Sequence, residues 1–221
     1  MKLYTSPFAP NGLKVLILAQ EKGLEIETVT LGPDDKADYL KINPFGQVPS
    51  LLLEDGTAIT ESLTICQYVD AISSPPALFG EGLEERTRIA MWERRAEMLL
   101  FIPGVEYGHH THPMFAGSIA QHPDWARDML PKSLRMIELM EEQLTGYAYL
   151  AGDDFTAADI TACLGYFMLL AYGAIERGDR VAIRGWTARV MERPSMNVLK
   201  QMAQAFGVEN IFETDGSAAV A

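Results

Sequence analysis

The stretch NPFGQVPSLLLEDGTAITES occupies residues 43–62. Within it, residues 48–53 form an apolar, strand-like run with a proline near its mouth, where a sheet ladder would use a backbone donor. Asp55-Gly56 follows, and such a pair between two strand-like runs predicts a hairpin whose returning strand is residues 57–60. Glu61 and Ser62 then stand at the head of residues 62–72, where Ile65, Cys66 and Val69 repeat at helical spacing.

Upstream, residues 2–5 read as a short strand, and after a loop over residues 6–12 Leu13, Leu16, Ile17 and Gln20 share one helical face. Gly23 ends that helix, and residues 26–31 alternate as a second strand. A strand, helix and strand of this length imply a right-handed βαβ unit with parallel pairing.

Ser73-Ser74-Pro75-Pro76 is the clearest break in the chain. Beyond it every periodic segment is helical. One helix carries Ile89, Trp92, Ala96, Leu99 and Leu100 and ends before Pro103, and another carries Leu130, Leu134, Ile137 and Leu144. A third has Thr156 as N-cap, Asp159 three residues on, and the stripe Ile160, Cys163, Leu164, Phe167, Met168 and Ala171. Pro194 separates a final pair. The expected organisation is an α/β domain over 1–74, a linker over 75–84, an all-helical domain over 85–210 and a flexible tail over 211–221.

Bulk properties narrow the function. A 48% hydrophobic content over 221 residues supports real cores, and the net charge of −12 disfavours general affinity for nucleic acid or anionic membrane. An anionic ligand must then be held by local geometry. Cys66 and Cys163 sit inside helical patterns, which suits buried free thiols in a reducing compartment. The opening MKLYTSPF lacks the apolar block of a signal peptide, and no run approaches the roughly 20 apolar residues of a spanning helix. The expected setting is the cytoplasm.

The residues of the opening stretch suggest a ligand. Val48-Pro49, if cis, turns the amide and carbonyl of Val48 from the ladder toward a groove, where an extended peptide-like ligand pairs with them as an added strand. The first N–H groups of a helix attract a carboxylate, so the Ser62 amide and hydroxyl suit one, while Glu61 suits an ammonium group. Together they suit an α-amino acid head group. The same two residues also serve as plain helix caps, and the residues alone leave both readings open.

These motifs, in this order, resemble the cytosolic glutathione transferases. Asn-Pro-Phe-Gly-Gln-Val-Pro is similar to the phi-class form, and Glu61-Ser62 lies just past the hairpin as in that family. Thr156-Ala157-Ala158-Asp159 is similar to its Ser/Thr-x-Ala-Asp box, and the likeness, to a bacterial member, covers nearly the whole chain. It implies a thioredoxin-like N-terminal domain followed by an all-α C-terminal domain. It also implies glutathione as co-substrate, no metal, a small hydrophobic electrophile, a role in detoxification and a homodimer. Val48, after the bend at Pro49, would pair with the cysteinyl backbone of glutathione; Gln47, Glu61 and Ser62 would take its γ-glutamyl end, and Lys36 its glycyl carboxylate.

The chemistry such a site needs is a thiolate. A free thiol titrates near about 8.5, so only a few per cent is ionised at neutral pH. In many family members a Ser or Cys precedes the first helix, whereas this chain has Ala9 there. Pro10-Asn11-Gly12-Leu13-Lys14 instead resembles the Pro-Asn-Gly-x-Lys run of the nu class and its yeast prion relatives, in which the asparagine contributes to the thiol site. Asn11 is therefore the first catalytic candidate and Ser6 the second. Read without the resemblance, Asn11 is more readily a cap or turn residue, followed by Gly12.

The second substrate is expected between the domains, near "GVEYGHHTHPMF", with Phe8, Tyr107, His110 and Phe115 as its walls. His109, His110 and His112 do not have a recognisable zinc spacing. The alternatives to a transferase are a non-catalytic glutathione-binding module, for which Ala9 argues, or a glutathione-dependent isomerase, etherase or peroxidase.

Overall fold

Leu3 and Thr5 point into the interior from β1 (Lys2–Thr5), the strand around which the first sheet is built. A computed structural model describes residues 1–208, in two compact units that divide between Phe79 and Gly80; the expected tail, 211–221, lies outside the described residues. In the first unit β1 pairs parallel with β2 (Glu27–Thr30) and antiparallel with β3 (Ser50–Leu52). β3 pairs antiparallel with β4 (Ala58–Thr60), giving the order β2-β1-β3-β4. Asp55 closes the hairpin by accepting the Thr57 N–H at 2.9 Å, and Gly56 takes the positive φ of 86° that the turn demands.

Between β1 and β2 runs α1 (Pro10–Glu21), packed along α3 (Ser62–Ile72). The helix starts at Pro10 and not after Gly12: proline supplies a ready-made φ for the first turn and lacks only an N–H that would have no partner there. Asn11 thus lies in the first helical turn. A short helix, α2 (Lys36–Ile42), follows β2; its seven residues are too few to show a period in the sequence. The α1 start is seated against β1 through Gly12, where a Cβ would lie 2.0 Å from Thr5 Oγ1. Gly12→Ala is therefore expected to destabilise the protein by about 1–3 kcal/mol. An unchanged thermal midpoint would show that the threonine simply turns aside.

The first unit is closed at its far end by charge. Lys22 Nζ lies 2.9 Å from Asp70 Oδ1, with side chains only 1% and 8% exposed, and also donates to the Pro76 carbonyl. The same carboxylate accepts the N–H groups of Leu78, at 2.9 Å, and Phe79, at 3.2 Å. Chain beyond the Ser-Ser-Pro-Pro break is thereby tied back to α1 and α3.

In the second unit the described residues form α4 (Leu83–Ala96), α5 (Ile102–Thr111), α6 (Pro123–Leu144), α7 (Ala157–Ala171), α8 (Val181–Met191) and α9 (Asn197–Ala205). The expected end of the helix before Pro103 does not occur. A π turn over Glu97–Phe101 carries α4 into α5, with the Ile102 N–H reaching Glu97 O, and its wider winding accommodates a residue that cannot donate. Gly165 of α7 packs against that turn, since a Cβ there would lie 2.5 Å from Phe101 N. On α6 the buried face is Ala126, Ser133, Met136, Ile137, Met140 and Leu144, whereas Leu134, expected inward, is exposed.

α7 is buried almost all round, as its mostly apolar sequence requires. Its cap centres on Asp159, which is fully buried. Oδ2 accepts the N–H and hydroxyl of Thr156, both at 3.0 Å; Oδ1 accepts the Leu150 N–H at 3.0 Å and Trp186 Nε1 at 2.8 Å. Burial pushes the Asp159 pKa up, and these four donors pull against it. Cys163, one turn on, is buried, and its thiol is pushed up to about 12.

Candidate functional site

Asparagine 43 organises the turn that leads into β3. Its side-chain oxygen accepts the Phe45 N–H at 3.1 Å, while its Nδ2 donates to Gln47 O at 2.6 Å. Tyr39, buried on α2, donates its hydroxyl proton to the same carbonyl at 2.6 Å. Having spent that proton, Tyr39 Oη accepts from Ser50 Oγ at 2.7 Å. Two donors thus pin the Gln47 carbonyl, and because a peptide unit is planar and trans the Val48 N–H must point away from them. The Val48-Pro49 bond is cis, and the β3 ladder begins only at Ser50, so Val48 lies outside it. Phe45, 84% exposed, and the Gln47 side chain stand out from the turn.

Glu61 is the N-cap of α3 and adopts φ 66°, ψ 118°, a conformation that costs a non-glycine residue energy. Its side chain is exposed. Ser62, buried, opens α3, and its hydroxyl donates to Asn11 Oδ1 at 2.7 Å. The residue expected to handle a thiol and the residue expected to hold a head group are therefore in direct contact, at the starts of two helices. Ala9 is the N-cap of α1 and offers no side-chain bond. Ser6 precedes the α1 cap, and its carbonyl accepts the Ala9 N–H at 3.2 Å. Phe8 takes φ 57° and is 41% exposed, and Lys36 lies exposed at the start of α2.

In the second unit the histidines are spread over two clusters. His110 Nδ1 accepts the His122 N–H at 3.1 Å, its Nε2 lies 3.4 Å from Glu106, and its ring meets Trp125 edge-on at 4.9 Å. Phe115 sits instead with His109, 4.8 Å away, and His112, 6.5 Å away. Burial lowers the pKa of His109 against the opposing charge of Glu106. Tyr107 is half-buried on α5. Among the described residues no three metal-ligating side chains converge.

Sequence reasoning missed Tyr39 and Asn43. Asn43, two residues ahead of an amide it caps, is an Asx-turn signal that was legible; Tyr39 was not, because its helix leaves no periodic trace.

The fold and these residues define a class: a thioredoxin-like α/β unit with a cradled loop before its third strand, followed by an all-helical unit. Residues 3–77 match the family model for the glutathione S-transferase N-terminal domain, and residues 113–194 that for the C-terminal domain. Glutathione S-transferase 2 of Saccharomyces cerevisiae is 31% identical over 210 residues, covering 91% of this chain and 90% of the relative. The crystal structure of Gtt2 from the same yeast superposes with a TM-score of 0.82 at 31% identity, covering 90% of this chain and 100% of that one. A glutathione S-transferase domain-containing protein of Marinobacter aquaeolei gives 0.81 at 33%, covering 89% and 100%. The chain belongs to the glutathione S-transferase family.

Proposed function

We propose that this chain binds glutathione in its first unit, ionises the thiol and directs the sulfur at a small hydrophobic electrophile. Membership of the family makes the protein a transferase enzyme that uses glutathione as co-substrate. The observation that carries the residue-level reading is the contact of Asn11 with Ser62 at 2.7 Å, which sets a donor for sulfur beside a helix end for a carboxylate, within the span of one tripeptide. The N–H of Ser62, at the start of α3, receives the γ-glutamyl carboxylate, and exposed Glu61 meets the ammonium group. Val48 pairs with the cysteinyl backbone, while Gln47 supports the γ-glutamyl end and Lys36 the glycyl carboxylate.

Asn11 Oδ1 already accepts from Ser62, which leaves the Nδ2 hydrogens for the sulfur, aided by the partial positive charge at the start of α1. Lowering a thiol pKa by two units takes about 2.7 kcal/mol, and a hydrogen bond to a charged acceptor contributes roughly 1.5–3 kcal/mol. The proton leaves to solvent; the sulfur then bonds to the electrophilic carbon, which expels a leaving group or, in an activated alkene, releases its π-electron pair to the neighbouring carbon, and that neighbour takes up a proton from solvent.

Steady-state turnover of glutathione with a chloro-dinitrobenzene-type electrophile tests the reading. Asn11→Ala is expected to lower turnover about 10–100-fold while changing glutathione affinity little. A pH–rate profile unmoved by that substitution would transfer the role to Ser6. Binding without turnover across an electrophile panel would favour a non-catalytic module, the reading that Ala9 at the α1 cap supports. The protein is further proposed to act as a cytoplasmic homodimer.

A further inference from the structure

The Tyr39 hydroxyl sits where α2, the turn after it and the sheet meet. Its ring is 4% exposed and tilts against Tyr4 of β1, with centroids 6.0 Å apart. The phenolic oxygen has partners on both sides of the Val48-Pro49 pair: it donates to the Gln47 carbonyl at 2.6 Å, and Ser50 Oγ, on a fully buried side chain of β3, lies 2.7 Å away. The direction of the first bond is unambiguous, because a carbonyl oxygen only accepts. Asn43, the other donor to that carbonyl, belongs to the turn itself, where its own carbonyl accepts the Gly46 N–H at 2.9 Å. Asn43 thus shapes the turn from within, whereas Tyr39 ties it to the packed helix and sheet. The direction of the Gln47 carbonyl matters one residue on. Gln47 O and the Val48 N–H lie on opposite edges of one planar, trans peptide, so rotating the carbonyl swings the N–H with it. Val48 stands outside the β3 ladder, which begins at Ser50, and is half-buried. A hydrogen bond weakens steeply as its angle falls toward about 120°, so a donor aimed before the ligand arrives binds it more tightly.

We infer that Tyr39 is a positioning residue for glutathione: by holding the Gln47 carbonyl, its hydroxyl aims the Val48 N–H at the cysteinyl carbonyl of the tripeptide, and so acts on glutathione affinity and not on the ionisation of the thiol. This rests on the proposed pairing of Val48 with the cysteinyl backbone. It makes α2 part of the binding apparatus through a buried side chain.

The test pairs a protein change with a ligand change. Tyr39→Phe keeps the buried ring and removes the oxygen alone. Its glutathione affinity by calorimetry is expected to fall roughly three- to tenfold, the usual effect of one hydrogen bond, with KM for glutathione rising to match. The value of kcat at saturating glutathione and the ultraviolet titration of the bound thiol stay as in the parent protein. The second ligand is a glutathione analogue in which a trans-alkene replaces the Cys–Gly amide, so that no carbonyl meets the Val48 N–H. Tyr39→Phe is expected to weaken this analogue less than about twofold, because a residue that acts through one contact adds nothing once that contact is absent. Ser50→Ala removes the other partner of the phenol but leaves Tyr39 on Gln47, and is expected to hold glutathione within about twofold even where its thermal midpoint falls. Three results overturn the inference while sparing the proposed function: unchanged glutathione affinity in Tyr39→Phe, an equal loss for both ligands in that variant, or a loss in Ser50→Ala as large as in Tyr39→Phe. Equal binding of glutathione and the analogue by the parent protein would remove the proposed Val48 pairing, and absence of binding heat at millimolar glutathione would remove the proposed function itself. The inference falls with either.

Discussion

Asp159→Ala is expected to destabilise the protein by about 3–5 kcal/mol, a fall of roughly 10 °C in thermal midpoint. The carboxylate is fully buried and accepts from Leu150, Trp186 and both donors of Thr156, so its removal strands four buried donors at once. Each unpaired donor costs about 1–3 kcal/mol, and partial relaxation keeps the sum below the simple total. The bonds also join three places in the second unit: the start of α7, the loop at Leu150 and α8 through Trp186. Asp159→Asn is expected to be nearly as damaging, because it turns an NH₂ toward donors. Thermal unfolding followed by tryptophan fluorescence checks both, and a shift under about 2 °C would mean that the four donors find other partners.

Asp70→Ala is expected to cost a similar 3–5 kcal/mol in the first unit, by another route. Lys22 Nζ is left with its charge buried and its carboxylate gone, and the N–H groups of Leu78 and Phe79 lose their acceptor. Limited proteolysis should then cut near residues 73–79 before anywhere else in that unit. Replacing both charged partners, Lys22→Met with Asp70→Ala, should recover part of the loss, because the largest cost is the unpaired ammonium. If the double variant is no more stable than Asp70→Ala, the two backbone N–H groups outweigh the ion pair.

Much of the first unit was legible because it obeys short-range rules. Asp55-Gly56 makes its hairpin, Gly23 ends α1 at φ 62°, and residues 62–72 form α3 as their apolar period predicts. Thr156 and Asp159 meet at the start of α7 for the same reason: a cap three residues from its partner is local chemistry. The sequence was misleading where a neighbour in space decides. Pro103 reads as a break, but the chain stays helical through a π turn, and Gly165 of α7, with no Cβ, leaves room for that turn. Leu134 reads as core, but the packed face of α6 is the one through Met136 and Met140.

The candidate site divides along the same line. Asn11, Val48, Pro49, Glu61 and Ser62 were identifiable one by one, from residue type, turn chemistry and family likeness. Their mutual geometry was not. Asn11 and Ser62 are 51 positions apart, and no periodicity reports that one donates to the other. Of the two donors on the Gln47 carbonyl, Tyr39 comes from α2, which left no trace in the pattern, and Asn43 stands just past its end.

By itself, the amino-acid sequence determined an α/β unit followed by helices, and its family likeness pointed to a ligand and to candidate residues for it. Periods of two and 3.6 residues, caps and turns are properties of neighbouring positions, and are written in the order of the chain. Only the tertiary structure decided which way each polar group spends its proton: Ser62 on Asn11, Tyr39 on Gln47, Lys22 on Asp70. The reason is physical. A hydrogen bond is set by distance and direction to within fractions of an ångström, and the packing of α1, α2 and α3 on the sheet supplies that precision where sequence separation carries no information about it.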